Sequence, residues 1–195
     1  MRRQPVQVAV RCRPATKHDG GGAACIAVEG DAVTVASGEE EAGFSFDVCL
    51  GMEADQSDVY DALVSEPMEA LFEGYNSTIL AYGQTGSGKT YSMVGTEDEP
   101  GLIPRFAREL FERASMHDGA RVSASYLQLY NEAFLDLLEP HSGAELRLRR
   151  SESRGVFVQA LAQLGIIGCT CACMCTAFTT AYAPALMPTP HRLRG

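Results

Sequence analysis

The chain reads as a three-layer α/β domain with a mostly central mixed sheet. Three observations predict it. Short runs with strand alternation or β-branched content alternate with longer runs whose apolar residues fall at helical spacing, the pattern of a sheet covered by helices. An apolar run at 77–83, STILAYG, leads directly into glycine-rich GQTGSGKT, a strand-to-helix join typical of buried strands in layered α/β domains. A chain of 195 residues that is 46% hydrophobic and 21% charged is long enough for roughly one domain with a sizeable core.

Taken in order, VQVAV at 6–10 has the alternation of a strand, and Pro14 in the following RCRP ends its ladder. HDGGGAA at 18–24 is a flexible loop. CIAVEGDAVTV at 25–35 reads as a hairpin with EGD at the turn, and FSFDV at 44–48 as a further strand. From Asp55 to Phe72, Val59, Leu63, Val64, Met68 and Leu71 mark one amphipathic helix, stopped by Gly74. STILAYG is a buried strand and TYSMV continues as helix. TEDEPG at 96–101 is a surface loop, and Phe106, Leu110 and Phe111 build a helix over 104–114. VSASYLQLY at 122–130 reads as one long strand, followed by AFLDLL.

The net charge of −9 argues against nonspecific nucleic-acid binding through the field of the whole protein. No secretory signal is visible, because Gln4, Pro5 and Gln7 interrupt the apolar stretch after Arg2 and Arg3, so the expected location is intracellular. Cys12, Cys25 and Cys49 are then free thiols in or near a core.

GQTGSGKT at 83–90 satisfies the spacing G-x-x-x-x-G-K-[ST]. Gly83, Gly86 and Gly88, spaced by Gln84, Thr85 and Ser87, let the backbone curl so that successive N–H groups face a β-phosphate. Lys89 can reach the β and γ oxygens, and the Thr90 hydroxyl can coordinate Mg²⁺. These residues bind a nucleotide but do not say which branch of phosphate-loop proteins holds it.

The flanking blocks do. VAVRCRP at 8–14, FSFDV, QSDVY at 56–60, GYNSTILAYGQTGSGKTYSMVG at 74–95, GLIPR at 101–105, SYLQLYNEAFLDLL at 125–138 and LRLRRSESRGVFVQALAQ at 146–163 resemble, in order, successive blocks of the kinesin motor domain. The resemblance implies a P-loop NTPase fold, ATP and Mg²⁺ as ligands, ATP hydrolysis, and movement on microtubules in the cytoplasmic cytoskeleton. It also implies that Arg11, Arg13 and Pro14 line the adenine and ribose side, with Tyr91 stacking on the base. A flat guanidinium, a proline ring and a phenol suit a purine sandwich. In ELRLRRSESR at 145–154, Arg147, Arg149, Arg150 and Arg154 outnumber two glutamates for a local charge of +2. The resemblance makes this region one part of a contact with acidic tubulin; without it, the run reads as a solvated strand edge. The loop wording and RCRP lean towards the chromokinesin-type branch.

The family's water-positioning and Mg²⁺-holding motifs, N-x-x-S-S-R-S-H and D-L-A-G-S-E, do not occur in this chain. The only later D-x-x-G, DEPG at 98–101, lies in the acidic loop without a preceding strand. The expected fold is therefore incomplete at its C-terminal part, with residues 1–164 as the N-terminal part of a motor domain and 165–195 as an unrelated tail. That tail carries no charge before His191, and Cys169, Cys171, Cys173 and Cys175 crowd into it. On a strand these sulfurs share one face but spread too far to close one tetrahedral site. Residues 160–183 could span a bilayer by length, yet Thr, Cys and Ala dominate them and Pro184 ends them, so no membrane is expected. The simplest reading is a foreign end joined near Leu164. Two functions compete: a motor ATPase of which this is the N-terminal part, and a non-catalytic nucleotide-binding or decoy fragment.

Overall fold

The computed structural model describes residues 6–17, 19, 25–117, 119–153 and 155–166. The chain is mixed α/β and divides into two compact units, 1–106 and 107–195. Among the described residues the strands form five small sheets, one parallel and four antiparallel, as befits an incomplete layered fold.

In the first unit, β1 (Ala9–Arg11) pairs in parallel with β5 (Val48–Leu50). The strand lies further along than VQVAV suggested, and the ladder continues to Cys12 N–H, which donates to Leu50 O at 2.8 Å. β2 (Ile26–Glu29), β3 (Ala32–Ser37) and β4 (Glu40–Ser45) form an antiparallel meander. The EGD turn forms as expected, with Gly30 at φ +60°. FSFDV is not one strand. Its first two residues end β4 and its last begins β5, because at Phe46 the chain stops pairing with the β3 side and turns to residue 8: Phe46 N–H donates to Asp31 O, and Asp47 N–H to Val8 O.

The expected helix over 55–72 forms as two, α1 (Gln56–Leu63) and α2 (Ser65–Phe72). Asp55 caps α1: its carboxylate accepts from Ser57 N–H at 2.7 Å and Asp58 N–H at 2.9 Å, while Asp58 accepts from Asp55 N–H at 2.9 Å, closing a capping box. Pro67 explains the break at Val64. A proline four residues after Leu63 removes one helical donor and crowds the Leu63 carbonyl, so the helix restarts with Pro67 in a first turn, where the missing N–H costs nothing. Gly74 at φ +91° ends α2 as expected. Val59, Tyr60 and Val64 are buried together with Leu102, and Leu50, Ile79, Met93 and Phe106 pack against them.

The main departure is STILAYG. It forms no strand, and Leu80 is 84% and Tyr82 96% exposed. A strand needs neighbours for its N–H and C=O groups on at least one edge, and no described segment supplies one. Next come the phosphate-loop residues, α3 (Lys89–Met93) and α4 (Leu102–Ala114), with a short bridge from Gly95 to Pro100 closing the acidic loop.

The second unit contains β6 (Val122–Ala124), β7 (Leu127–Tyr130), β8 (Ala133–Asp136), β9 (Arg147–Ser151), β10 (Gly155–Gln159) and β11 (Leu164–Ile166). VSASYLQLY splits because its halves serve different partners: β6 pairs with β11, and β7 with β8. β9 and β10 form an antiparallel hairpin. Asp136, 5% exposed, closes this unit's chain turns: its carboxylate accepts from Leu138 N–H at 2.9 Å, Glu139 N–H at 3.1 Å and Ala162 N–H at 2.7 Å. Burial pushes this carboxyl up, but the three donors together outweigh it and hold it below its usual value. The boundary expected at 164/165 falls within β11. Arg154 and residues 167–195, including the four clustered cysteines, lie outside the described residues.

Candidate functional site: the glycine-rich loop and its surroundings

The loop owes its shape to its glycines. Gly83, Gly86 and Gly88 have φ of 154°, 82° and 96°, and the last two lie in the left-handed region that side chains disfavour. Gly88 is the residue from which α3 starts. At Gly83 a Cβ would stand 2.6 Å from Ser87 Oγ, so a side chain there would displace the far wall of the loop. Ser87 N–H donates to Gln84 O at 3.2 Å across Thr85 and Gly86. Lys89 folds back over the loop, its ammonium donating to Gly83 O at 2.9 Å and Gln84 O at 2.7 Å. The cation is thus satisfied by the carbonyls of the loop. Thr90 follows in the first turn of α3.

The two arginines of RCRP reach the loop differently. Arg13 donates from Nε to Gly86 O at 2.9 Å, and its two terminal nitrogens pair with Asp19 at 2.7 Å each. The Arg13 guanidinium, helped by the Thr16 N–H, holds the Asp19 carboxyl far below the usual range. Arg11 instead points to the helix side: Nη1 donates to Gln56 Oε1 and Ser92 Oγ at 2.9 Å each, and Nη2 to Ala54 O at 3.2 Å. Its guanidinium lies 5.2 Å from the centre of the Tyr91 ring, within cation–π range. The Tyr91 hydroxyl donates to Glu99 at 2.7 Å, and chiefly this bond pushes the phenol's pKa up.

Arg11, Arg13, Pro14, Ser87, Gly88, Lys89 and Tyr91 line one cavity of about 480 Å³, floored by apolar side chains such as Leu50, Val59 and Met93. Cys12 also lines it and is buried, as a thiol near a core should be, whereas Cys25 is exposed, against expectation. All three cysteines of the first half are free. Gly83, Gln84, Thr85, Gly86 and Thr90 belong to the same loop and helix but do not line this cavity.

Sequence reasoning missed four residues: Gln56, Ser92, Glu99 and Asp19. Gln56 is 1% exposed. Its Nε2 donates to the Tyr91 carbonyl at 2.6 Å while its Oε1 accepts from Arg11. The available signals were its place at the head of the QSDVY block and a polar residue at the first helical position of an otherwise amphipathic stretch. In the second unit, Arg147, Arg149 and Arg150 stand exposed on β9, with Arg147 paired to Glu145 at 2.7 Å and Arg149 donating to Gln159 at 3.0 Å.

A mixed α/β chain with a glycine-rich loop opening a helix under a folded-back lysine is a protein of the P-loop class. A sequence profile of the kinesin motor domain matches residues 11–172. This chain belongs to the kinesin motor-domain family. It is 38% identical over 175 residues to kinesin-like protein KIF7 of Mus musculus, covering 84% of this chain and 13% of that protein. It is 36% identical over 169 residues to the kinesin heavy chain of Gibberella moniliformis, covering 82% and 18%. Among solved structures, a fast kinesin superposes with a TM-score of 0.75 at 33% identity, and KIF14 with ADP in complex with a microtubule with 0.71 at 32%. Each comparison covers 83% of this chain but only 48% and 50% of the solved chains. The chain thus spans about half the length of those solved chains and less than a fifth of the curated relatives.

Proposed function

We propose that residues 1–164 are the N-terminal part of a kinesin-type motor that binds ATP with Mg²⁺ at residues 83–90 and, when complete, hydrolyses it to move along microtubules. The observation that carries this reading is the convergence of Lys89, Arg13, Pro14 and Tyr91 on one cavity beside the loop. Lys89 exchanges its bonds to Gly83 O and Gln84 O for β and γ oxygens, while the loop N–H groups hold the β-phosphate. Pro14 and the Tyr91 ring, 40% exposed, take the base. Arg13 closes the ribose side from its anchor on Gly86. Bound Mg²⁺ would neutralise phosphate charge, with Thr90 as the protein's oxygen ligand. Thr90 directly follows Lys89 in the first turn of α3, and its hydroxyl is the kind of hard oxygen donor that Mg²⁺ takes.

The exposed arginines of β9 suit an acidic partner, and we assign Arg147, Arg149 and Arg150, with Arg154, to part of the microtubule contact. Microtubule binding as such is supported by the similarity to KIF14, which was solved in complex with a microtubule. The motor is then cytoplasmic and cytoskeletal. No helix of the described residues is long and apolar enough to cross a membrane. Residues 165–195 we assign to a separate tail.

A second reading, a non-catalytic nucleotide-binding or decoy fragment, is favoured by the exposure of Leu80 and Tyr82 beside the loop and by the lack of both hydrolytic motifs from the sequence. Phosphoryl transfer is catalysed mainly by positioning and electrostatics, so without those groups the chain alone should turn over very little ATP. Phosphate release with and without microtubules distinguishes the readings. The motor reading expects no stimulated release from the 195 residues and clear stimulation from a longer version carrying both motifs. A longer version that stays inert overturns the motor reading, and stimulated turnover by the short chain overturns the role given to the missing motifs.

A further inference from the structure

We propose that Gln56 is a positioning residue for the base side of the nucleotide site, acting through Arg11 and Tyr91 rather than on the phosphates; this rests on the nucleotide reading above. Its side chain is almost completely buried, at 1% exposure, where an amide is kept only if its groups are bonded. Both ends are. Oε1 accepts from Arg11 Nη1 at 2.9 Å, and Nε2 donates to the Tyr91 carbonyl at 2.6 Å. One amide from α1 thus bridges β1 and α3, elements 45 and 35 residues away in the chain.

The geometry follows from what it holds. Arg11 is aimed by three acceptors, Gln56 Oε1, Ser92 Oγ and Ala54 O, and lies 5.2 Å from the Tyr91 ring. Gln56 therefore fixes the cation on one face of the ring and the main chain that carries the ring. The tyrosine is tied at its far end as well, through its hydroxyl to Glu99. A ring held at both ends and covered on one face presents its remaining face in one orientation. Such preorganisation lowers the entropy lost when a planar base docks. Nothing in this bridge touches Lys89 or the loop carbonyls that it contacts, so the phosphate cradle should be indifferent to it.

Two ligands separate the halves of the site. Titration calorimetry of the 195-residue chain with Mg²⁺ would compare ATP with inorganic tripolyphosphate, which has the phosphates and no base. In Gln56→Met, of similar volume but without either bond, ATP binding should weaken roughly tenfold while tripolyphosphate binding changes less than about twofold. In Gln56→Glu, which keeps an acceptor for Arg11 but loses the donor to Tyr91, ATP should weaken by a smaller factor, again without tripolyphosphate following. The second variant decides the matter if the first fails to fold, as a thermal melt would show. Equal weakening of both ligands would mean that Gln56 is merely structural, and an unchanged ATP affinity would mean that it does not position the base; either overturns the proposal alone. If Lys89→Ala leaves both affinities intact, the nucleotide reading falls and takes this proposal with it.

Discussion

Replacing Lys89 by alanine tests the loop most directly. In the structure the ammonium donates to Gly83 O at 2.9 Å and Gln84 O at 2.7 Å. Nucleotide binding must break or share these bonds, so the lysine contributes only the difference between phosphate and carbonyl acceptors. A hydrogen bond to a charged group contributes about 1.5–3 kcal/mol, against about 1 kcal/mol for a neutral one. The charged ammonium is the donor in both sets of bonds, so the two loop bonds stand at the low end of that range, about 1.5 kcal/mol each, and two bonds to phosphate oxygens, charged on both sides, at about 2.5 kcal/mol each, a difference of about 2 kcal/mol. That corresponds to roughly thirtyfold in affinity for a fluorescent ATP analogue. The folded state should be little affected, because both acceptors can turn to water. Fluorescence anisotropy with the analogue, alongside a thermal melt of each protein, reads both effects. Unchanged affinity in a folded Lys89→Ala protein would refute the assignment of GQTGSGKT as the phosphate cradle.

Asp136→Asn should destabilise the unit that holds it by about 1 kcal/mol, since an amide nitrogen would face the Ala162 N–H and leave that half-buried donor unpaired. The wild-type carboxyl is held below its ordinary value, so its stabilisation is complete above the unfolded value of about 3.9 and is lost as pH falls through the lower folded value. Denaturation followed by circular dichroism should therefore show the gap between wild type and Asp136→Asn narrowing only in strong acid; a gap independent of pH there would sink the clasp. Reversing Arg147, Arg149 and Arg150 to glutamate in a longer, motor-competent version should weaken microtubule cosedimentation about tenfold at low salt and less at high salt, because exposed pairs contribute at most about 1 kcal/mol each and are screened. ATP binding should be untouched, and unaltered cosedimentation would remove these residues from the interface.

What the sequence determined alone is local chemistry. The loop at 83–90 is contiguous, its glycines are needed where φ turns positive, and its lysine lies one residue past the last glycine, so motif and geometry coincide. The hairpin at Gly30 and the stop at Gly74 were equally legible, because a turn or a helix stop is decided by a few neighbouring residues. The break at Val64 was legible too, in Pro67, but helical periodicity alone ran through it. Only the tertiary structure decided which segments pair. FSFDV and VSASYLQLY each divide between two partners, and STILAYG, apolar enough for a buried strand, stands exposed because no described strand takes its hydrogen bonds. The same holds for Gln56, whose partners lie 45 and 35 residues away, and for the bond of Asp136 to Ala162, 26 residues on, separations that no local pattern encodes. Alternation reports that a residue run can lie on a sheet face, but a strand's burial and a polar side chain's role depend on which distant backbone arrives beside it, and that is a property of the packed chain.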